Sequence, residues 1–353
     1  MDDGLAPDGD IVGNFAMAGA NSVVSIAGTG GAEVVHYDPA TGTYGAVIAA
    51  DTAGGQFYVF GVDPAARTVL VDDVTSTDSV ELYDTRTGTL LATVDLSGDT
   101  LKGGVVDAAR GRADLLVDAS TGDDTVLTVS MTTGAVTAVT NSDGGGAARA
   151  GSLDNIALDT ATGDVYLSSG PGSLLCFGGG TSLATVDPGA GTATVTNAGT
   201  RCDTDLAVDP SSGNLVSVSY RAVSVNFAGS SSLVTMPESN PSADSVFPLR
   251  TGAPVKLAVD PVSHLALVLY ALPNTPSKFG APGGQVLIDS NVTSVIEVIN
   301  ESTGAIVKTL SGFAAASMNG YPFPTDQGIQ LDPATRTGYT YAPGDDQIQQ
   351  FSY

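Results

Sequence analysis

One short unit recurs along this 353-residue chain: an alternating apolar run, a turn led by Asp, and a second alternating run. Its clearest instance is AVDPSSGNLVSV at 207–218. With the Asp as reference, the unit returns at Asp63, Asp107, Asp159, Asp209, Asp260 and Asp332. The intervals are 44, 52, 50, 51 and 72 residues, and the last is long because 272–290 reads as an insertion. A period of about 50 residues belongs to propellers and solenoids.

A second signal falls between these anchors. It reads YDPATG at 37–42, YDTRTG at 83–88, MTTG at 131–134, VDPGAG at 186–191 and NESTG at 300–304, with MPESN at 236–240 as a worn copy. Asp bonds its own backbone, Pro presets a turn, and Gly supplies positive φ. Each period therefore holds two hairpins, hence four strands, here called A to D from first to last. The Asp anchor ends strand A, and the second turn joins C to D. Four short strands per period describe a propeller blade.

The fold class expected is all-β, a single β-propeller of seven four-stranded blades. Residues 1–10 form a loose acidic terminus, and 11–353 form the propeller. The blades fall near 11–50, 56–97, 101–140, 152–198, 203–250, 254–311 and 325–353. The last shows only strands A to C in sequence. Six blades, with 11–18 closing the ring as an outer strand, is the alternative.

The formal net charge is −25. That excludes nucleic acid and anionic membrane surfaces as natural partners. No stretch has the roughly 20 apolar residues a membrane span needs. Residues 1–9 lack the basic and apolar regions of a secretory signal, so a secreted chain is expected to have lost it. Cys176 and Cys202 are the only cysteines. Both lie in connections at the end of the blades opposite the Asp turns, the top, and are expected to form a disulfide. Two separate packed thiols are the alternative. A disulfide places the chain in an oxidising compartment: extracellular, periplasmic or on the cell surface.

The two histidines, His36 and His264, fall in distant blades, so a Ser–His–Asp arrangement is not expected. Each reads as a solvated or packed side chain. Strand A carries more information, because alternate residues share a face. Two places before each anchor Asp, the residues are nearly all small. Four and six places before it stand polar groups that would gather at the top of the central channel: Asn14, Asn155, Asp203, Asp205, Lys256 and Asp326. Asp203, Asp205 and Asp326 are candidate ligands of a hard cation such as Ca²⁺, and Asn14, Asn155 and Lys256 are candidate ligand-binding groups. A salt bridge between Lys256 and Asp205, with no metal, is the competing arrangement. The longest connections also leave the top, on blades 4 to 7.

AVDPSSGNLV and VINESTGAIVKTL (298–310) resemble the repeats of the YVTN-type and NHL-type propeller families. That resemblance implies an extracellular or periplasmic binding or surface protein. Asn155 and Asp205 also stand where gluconolactonase-like calcium propellers, a more distant resemblance, carry metal ligands. Those propellers use a third ligand, an early Glu, and Glu33 here lies in a C strand. The expectation is a non-enzymatic, monomeric binding module whose top face takes a small molecule, a glycan or a protein. A divalent-cation-dependent lactonase-like hydrolase, with its site at the channel mouth, is the alternative.

Overall fold

The computed structural model describes residues 15–28, 31–51, 57–73, 79–96, 98–118, 124–141, 153–169, 182–197, 203–222, 229–250, 253–272, 293–313, 328–342 and 347–353. The chain packs as two compact units, Met1–Gly145 with Val186–Ala193, and Gly146–Thr185 with Thr194–Tyr353.

The first unit holds three four-stranded sheets. They are β1 (Phe15–Ala16), β2 (Val23–Gly28), β3 (Gly31–Asp38) and β4 (Thr43–Ala50); β5 (Phe57–Asp63), β6 (Thr68–Asp73), β7 (Ser79–Asp84) and β8 (Leu90–Asp95); and β9 (Thr100–Asp107), β10 (Arg112–Asp118), β11 (Asp124–Ser130) and β12 (Val136–Asn141). Each is a meander in chain order. β1 is the inner strand of the first sheet, paired with β2 through Phe15↔Val24 and Ala16↔Val23. The six-blade alternative, which made this segment an outer strand, is thereby corrected.

The remaining strands are β13 (Leu153–Leu158), β14 (Val165–Ser169), β15 (Ser182–Asp187) and β16 (Thr192–Asn197); β17 (Asp203–Asp209), β18 (Asn214–Ala222), β19 (Gly229–Pro237) and β20 (Ser245–Pro248); β21 (Ala253–Asp260), β22 (Leu265–Leu272), β23 (Thr293–Asn300) and β24 (Ile306–Phe313); and β25 (Ile329–Asp332), β26 (Thr337–Ala342) and β27 (Gln347–Ser352). They form three four-stranded sheets and a last one that is three-stranded among the described residues. The only helical element among those residues is one 3₁₀ turn at Gly19–Asn21.

The cores lie between consecutive sheets. In the first unit, Leu70 and Leu82 pack on Leu115, Val117, Leu127 and Met131 of the next sheet. In the second, Val216, Val218 and Leu233 pack on Leu257, Val268, Tyr270 and Ile299. No sheet can bury such a face alone, so the apolar stripe of one repeat requires the next. Each such side chain taken from water contributes roughly 1.5–3 kcal/mol.

Both kinds of turn share one geometry, from which the β19–β20 connection departs. The residue four after the leading residue has left-handed φ and donates its N–H to the leading residue's carbonyl: Gly163 to Asp159 at 2.7 Å, Gly213 to Asp209 at 3.0 Å, Gly304 to Asn300 at 2.8 Å. The leading Asp caps the turn with its carboxylate, as where Asp63 accepts the N–H groups of Ala65 and Ala66 at 2.8 and 3.0 Å.

The A strands depart from strict alternation. In four of them the register skips one residue, at Lys102, Asp154, Thr204 and Val255. Each skipped residue lies five places before its anchor Asp. A bulge there breaks the count that put residues four and six places back on one face. Six places back, Phe57, Leu153 and Asp203 are buried. In the second sheet the skip falls at Phe60 instead, and Val59, four places back, is also in the core.

Candidate functional site

Four of the polar residues singled out in the sequence lie in the described part of the second unit. Asn155 Nδ2 donates to Ser168 Oγ and to the backbone carbonyl of Asp203, both at 3.1 Å. Asp203 is 1% exposed, and its Oδ1 accepts the Ser217 hydroxyl at 3.1 Å. Asp205 turns the other way, toward the next sheet. Its Oδ1 accepts the Leu206 N–H at 3.0 Å, its Oδ2 the Leu257 N–H at 2.8 Å, and Lys256 Nζ lies 3.8 Å from the same Oδ2. The Thr204 bulge causes the divergence. So Asn155, Asp203, Asp205 and Lys256 come together as links between β13, β17 and β21. Asp203 and Asp205 do not share a face, contrary to the alternation count. Asn14, Asp326, Cys176 and Cys202 lie outside the described residues.

A second cluster forms at the opposite end, among the Asp turns of the same unit, and sequence reading missed it. In the turn after β21, the left-handed position is held by His264, φ 54°. Gly111, Gly163 and Gly213 hold it in three sister turns, and Arg67 and Arg336 in two more. Left-handed φ is unfavourable for a residue with a Cβ, by roughly 1–2 kcal/mol. His264 Nδ1 lies 2.7 Å from Asp209 Oδ2 and 3.7 Å from Glu301 Oε1. Both carboxylates are fully buried, while the imidazole is 45% exposed.

Local structure fixes each member. Asp209 Oδ1 takes the N–H groups of Ser211 at 2.9 Å and Ser212 at 3.3 Å, and the Ser211 hydroxyl at 2.7 Å. Ser211 Oγ also bonds the Pro261 carbonyl of the following sheet. Glu301 donates its N–H to the His264 carbonyl at 3.2 Å, and its own carbonyl accepts the Thr235 hydroxyl at 2.9 Å. Its Oε1 accepts the Ser212 hydroxyl at 3.1 Å. Its Oε2 is buried and receives no hydrogen-bond donor.

These contacts set the protonation of the group. Burial acts to raise the Asp209 carboxyl, but hydrogen bonds from Glu301, His264 and Ser211 outweigh it and hold it far below the usual carboxylate range. Burial pushes Glu301 up, and the hydrogen bond and negative charge of Asp209 push it further, to about 7. The hydrogen bond to Asp209 raises His264 despite some opposing burial. Two neighbouring carboxyl groups cannot both ionise freely, which leaves Glu301 high and Asp209 low.

The slot of Glu301, just after strand C, is informative. Its counterparts Thr85 and Met131 are buried, and Thr85 bonds the Arg67 carbonyl at 3.2 Å. Glu238 fills the slot one sheet earlier and accepts the Tyr166 hydroxyl at 3.1 Å. The fold thus accepts a neutral or apolar residue there. A His in a glycine position and a Glu in a Thr or Met position were the available sequence signals. Neither stands out until the two turns are brought side by side.

No protein-family model matches the chain, and no curated protein matches it in sequence. Solved structures do match. Hydrazine synthase of Kuenenia stuttgartiensis superposes with a TM-score of 0.66 at 10% identity, covering 99% of this chain and 97% of that one. The tricorn protease gives 0.61 at 14% identity, over 96% of this chain but 33% of that one. The β-propeller domain of Cps50 (Swd1) from Myceliophteria thermophila gives 0.59 at 11% identity, over 97% and 100%. At such identities the likeness is one of fold. The chain has the β-propeller fold, with seven blades. Propellers host many unrelated functions, so the fold alone names none.

Proposed function

We propose that the chain is a secreted or cell-surface binding module, not an enzyme, and that it engages a small molecule, glycan or protein partner with the ends of its sheets opposite the Asp turns. One observation carries this reading. By strand direction, every connection from B to C leaves the end opposite the Asp turns, and that is where chain length accumulates: 170–181, 223–228 and 273–292. The long link 314–328 between β24 and β25 leaves the same end. Most turns at the other end keep one geometry, the β1–β2 and β19–β20 connections excepted. Variation concentrated on one edge of a rigid frame is the usual mark of recognition. The repeat resemblance to YVTN-type and NHL-type propellers and the net charge of −25 agree with an extracellular setting.

A calcium titration tests this against the hydrolase alternative. Both Asp205 oxygens already take backbone N–H groups, and Lys256 stands beside one of them. The melting temperature is therefore expected to stay constant with added Ca²⁺, and a panel of lactones to remain unhydrolysed. A calcium-induced rise that disappears in Asp205→Ala, together with lactone turnover, would replace the binding module with the metal-dependent enzyme.

A further inference from the structure

We infer that Asp209, His264 and Glu301 form a binding site for a divalent transition cation of the zinc class, at the junction of the fifth and sixth sheets. One imidazole nitrogen and two carboxylates are donors that suit such an ion, and the nitrogen disfavours Ca²⁺ or Mg²⁺. The ligand atoms all lie within 4.8 Å of one another. Bonds of about 2.0–2.2 Å to a tetrahedral centre place ligand atoms roughly 3.3 Å apart. The observed 2.7 Å from His264 to Asp209 and 3.7 Å from His264 to Glu301 bracket that spacing.

Two independent features point to a ligand. Glu301 is fully buried, yet its Oε2 receives no donor. A buried carboxylate left in that state is costly, and the sister residues Thr85 and Met131 show that the fold does not require one there. His264 takes a left-handed backbone in a position that three sister turns give to glycine and two to arginine, and its imidazole meets both carboxylates. Ser211 holds Asp209 by the oxygen that does not face His264, as outer groups do around a metal. The half-exposed side of His264 leaves room for water as a fourth ligand.

The test uses the full chain, free of any polyhistidine tag, stripped with chelator and titrated with Zn²⁺ alone. Calorimetry should show one zinc per chain, and zinc should raise the melting temperature by about 2 °C or more. His264→Gly installs the sister turns' residue, and Glu301→Met installs that of Met131, so both keep a native local geometry. Each should weaken zinc binding at least about tenfold and abolish the thermal shift. Glu301→Gln, nearly isosteric, gives the same reading should Glu301→Met fail to fold. Absence of zinc binding by the native chain overturns the inference. So does a thermal shift that survives both His264→Gly and a folded Glu301 variant, or a shift with Ca²⁺ and none with Zn²⁺.

Discussion

Asp63, Asp159, Asp209, Asp260 and Asp332 each accept the backbone N–H two residues on, and Asp107 the one three residues on. This local chemistry was legible because it depends only on neighbours in sequence. What sets Asp209 apart was not, since His264 and Glu301 come from 55 and 92 positions away. Their coupling has a measurable consequence in metal-free solution. The raised Glu301 carboxyl means that the folded chain keeps a proton the unfolded chain has already released, from the ordinary carboxylate range up to about pH 7. Stability is lost as pH rises through that window. His264 adds to the same trend: its contribution is complete below the ordinary imidazole range and is lost as pH rises through its raised value. Asp209 works in the opposite sense and only at strong acid. Glu301→Gln should therefore flatten the fall in stability between pH 5 and 8 in chelator. At pH 8 it should be more stable than the native chain by about 1–3 kcal/mol. Urea midpoints measured across that range check it, and an unchanged slope would count against the raised Glu301 carboxyl.

The turns and the bulged inner strands differ in how far sequence reveals them. The turns were readable because Asp, Pro, Thr and Gly specify φ residue by residue. Their glycines are nonetheless not equivalent. A Cβ on Gly213 meets nothing within 4 Å, whereas one on Gly304 comes within 2.3 Å of the Phe247 ring. Gly213→Ala should cost about 1 kcal/mol, the backbone penalty alone. Gly304→Ala should cost at least about 2 kcal/mol more, because the ring must move. Equal losses in thermal denaturation would contradict this. The bulges were not readable, because a register skip is set by pairing with the second strand and by the next sheet. Through the bulge at Thr204, Asp205 reaches the Leu257 N–H at 2.8 Å. Asp205→Ala orphans that donor and should destabilise by about 1–3 kcal/mol, with Asp205→Asn losing less because it keeps an acceptor. A larger loss in Asp205→Asn than in Asp205→Ala would show that this bond is not what holds the two strands.

At the scale of the molecule, six of the seven blades followed from the spacing of the anchor aspartates and the first from the segment 11–50 that precedes them, since each period is one sheet that needs its neighbour. Function did not follow in the same way, because propellers of one shape serve unrelated ends. The two ends of the sheets differ: repeated Asp turns, among them the His264 cluster, at one, and the long connections at the other. The most direct test of that division is a binding profile on an array of glycans, peptides and small molecules. The native chain is compared with variants in which 170–181 or 273–292 is replaced by a short Gly-Ser linker, and with Val262→Ser at the turn end, where Val262 is 73% exposed. At least one shortened variant should lose about tenfold or more in affinity for the ligands the native chain binds, with Val262→Ser unchanged. Undiminished binding by both shortened chains, or loss confined to Val262→Ser, would contradict the account.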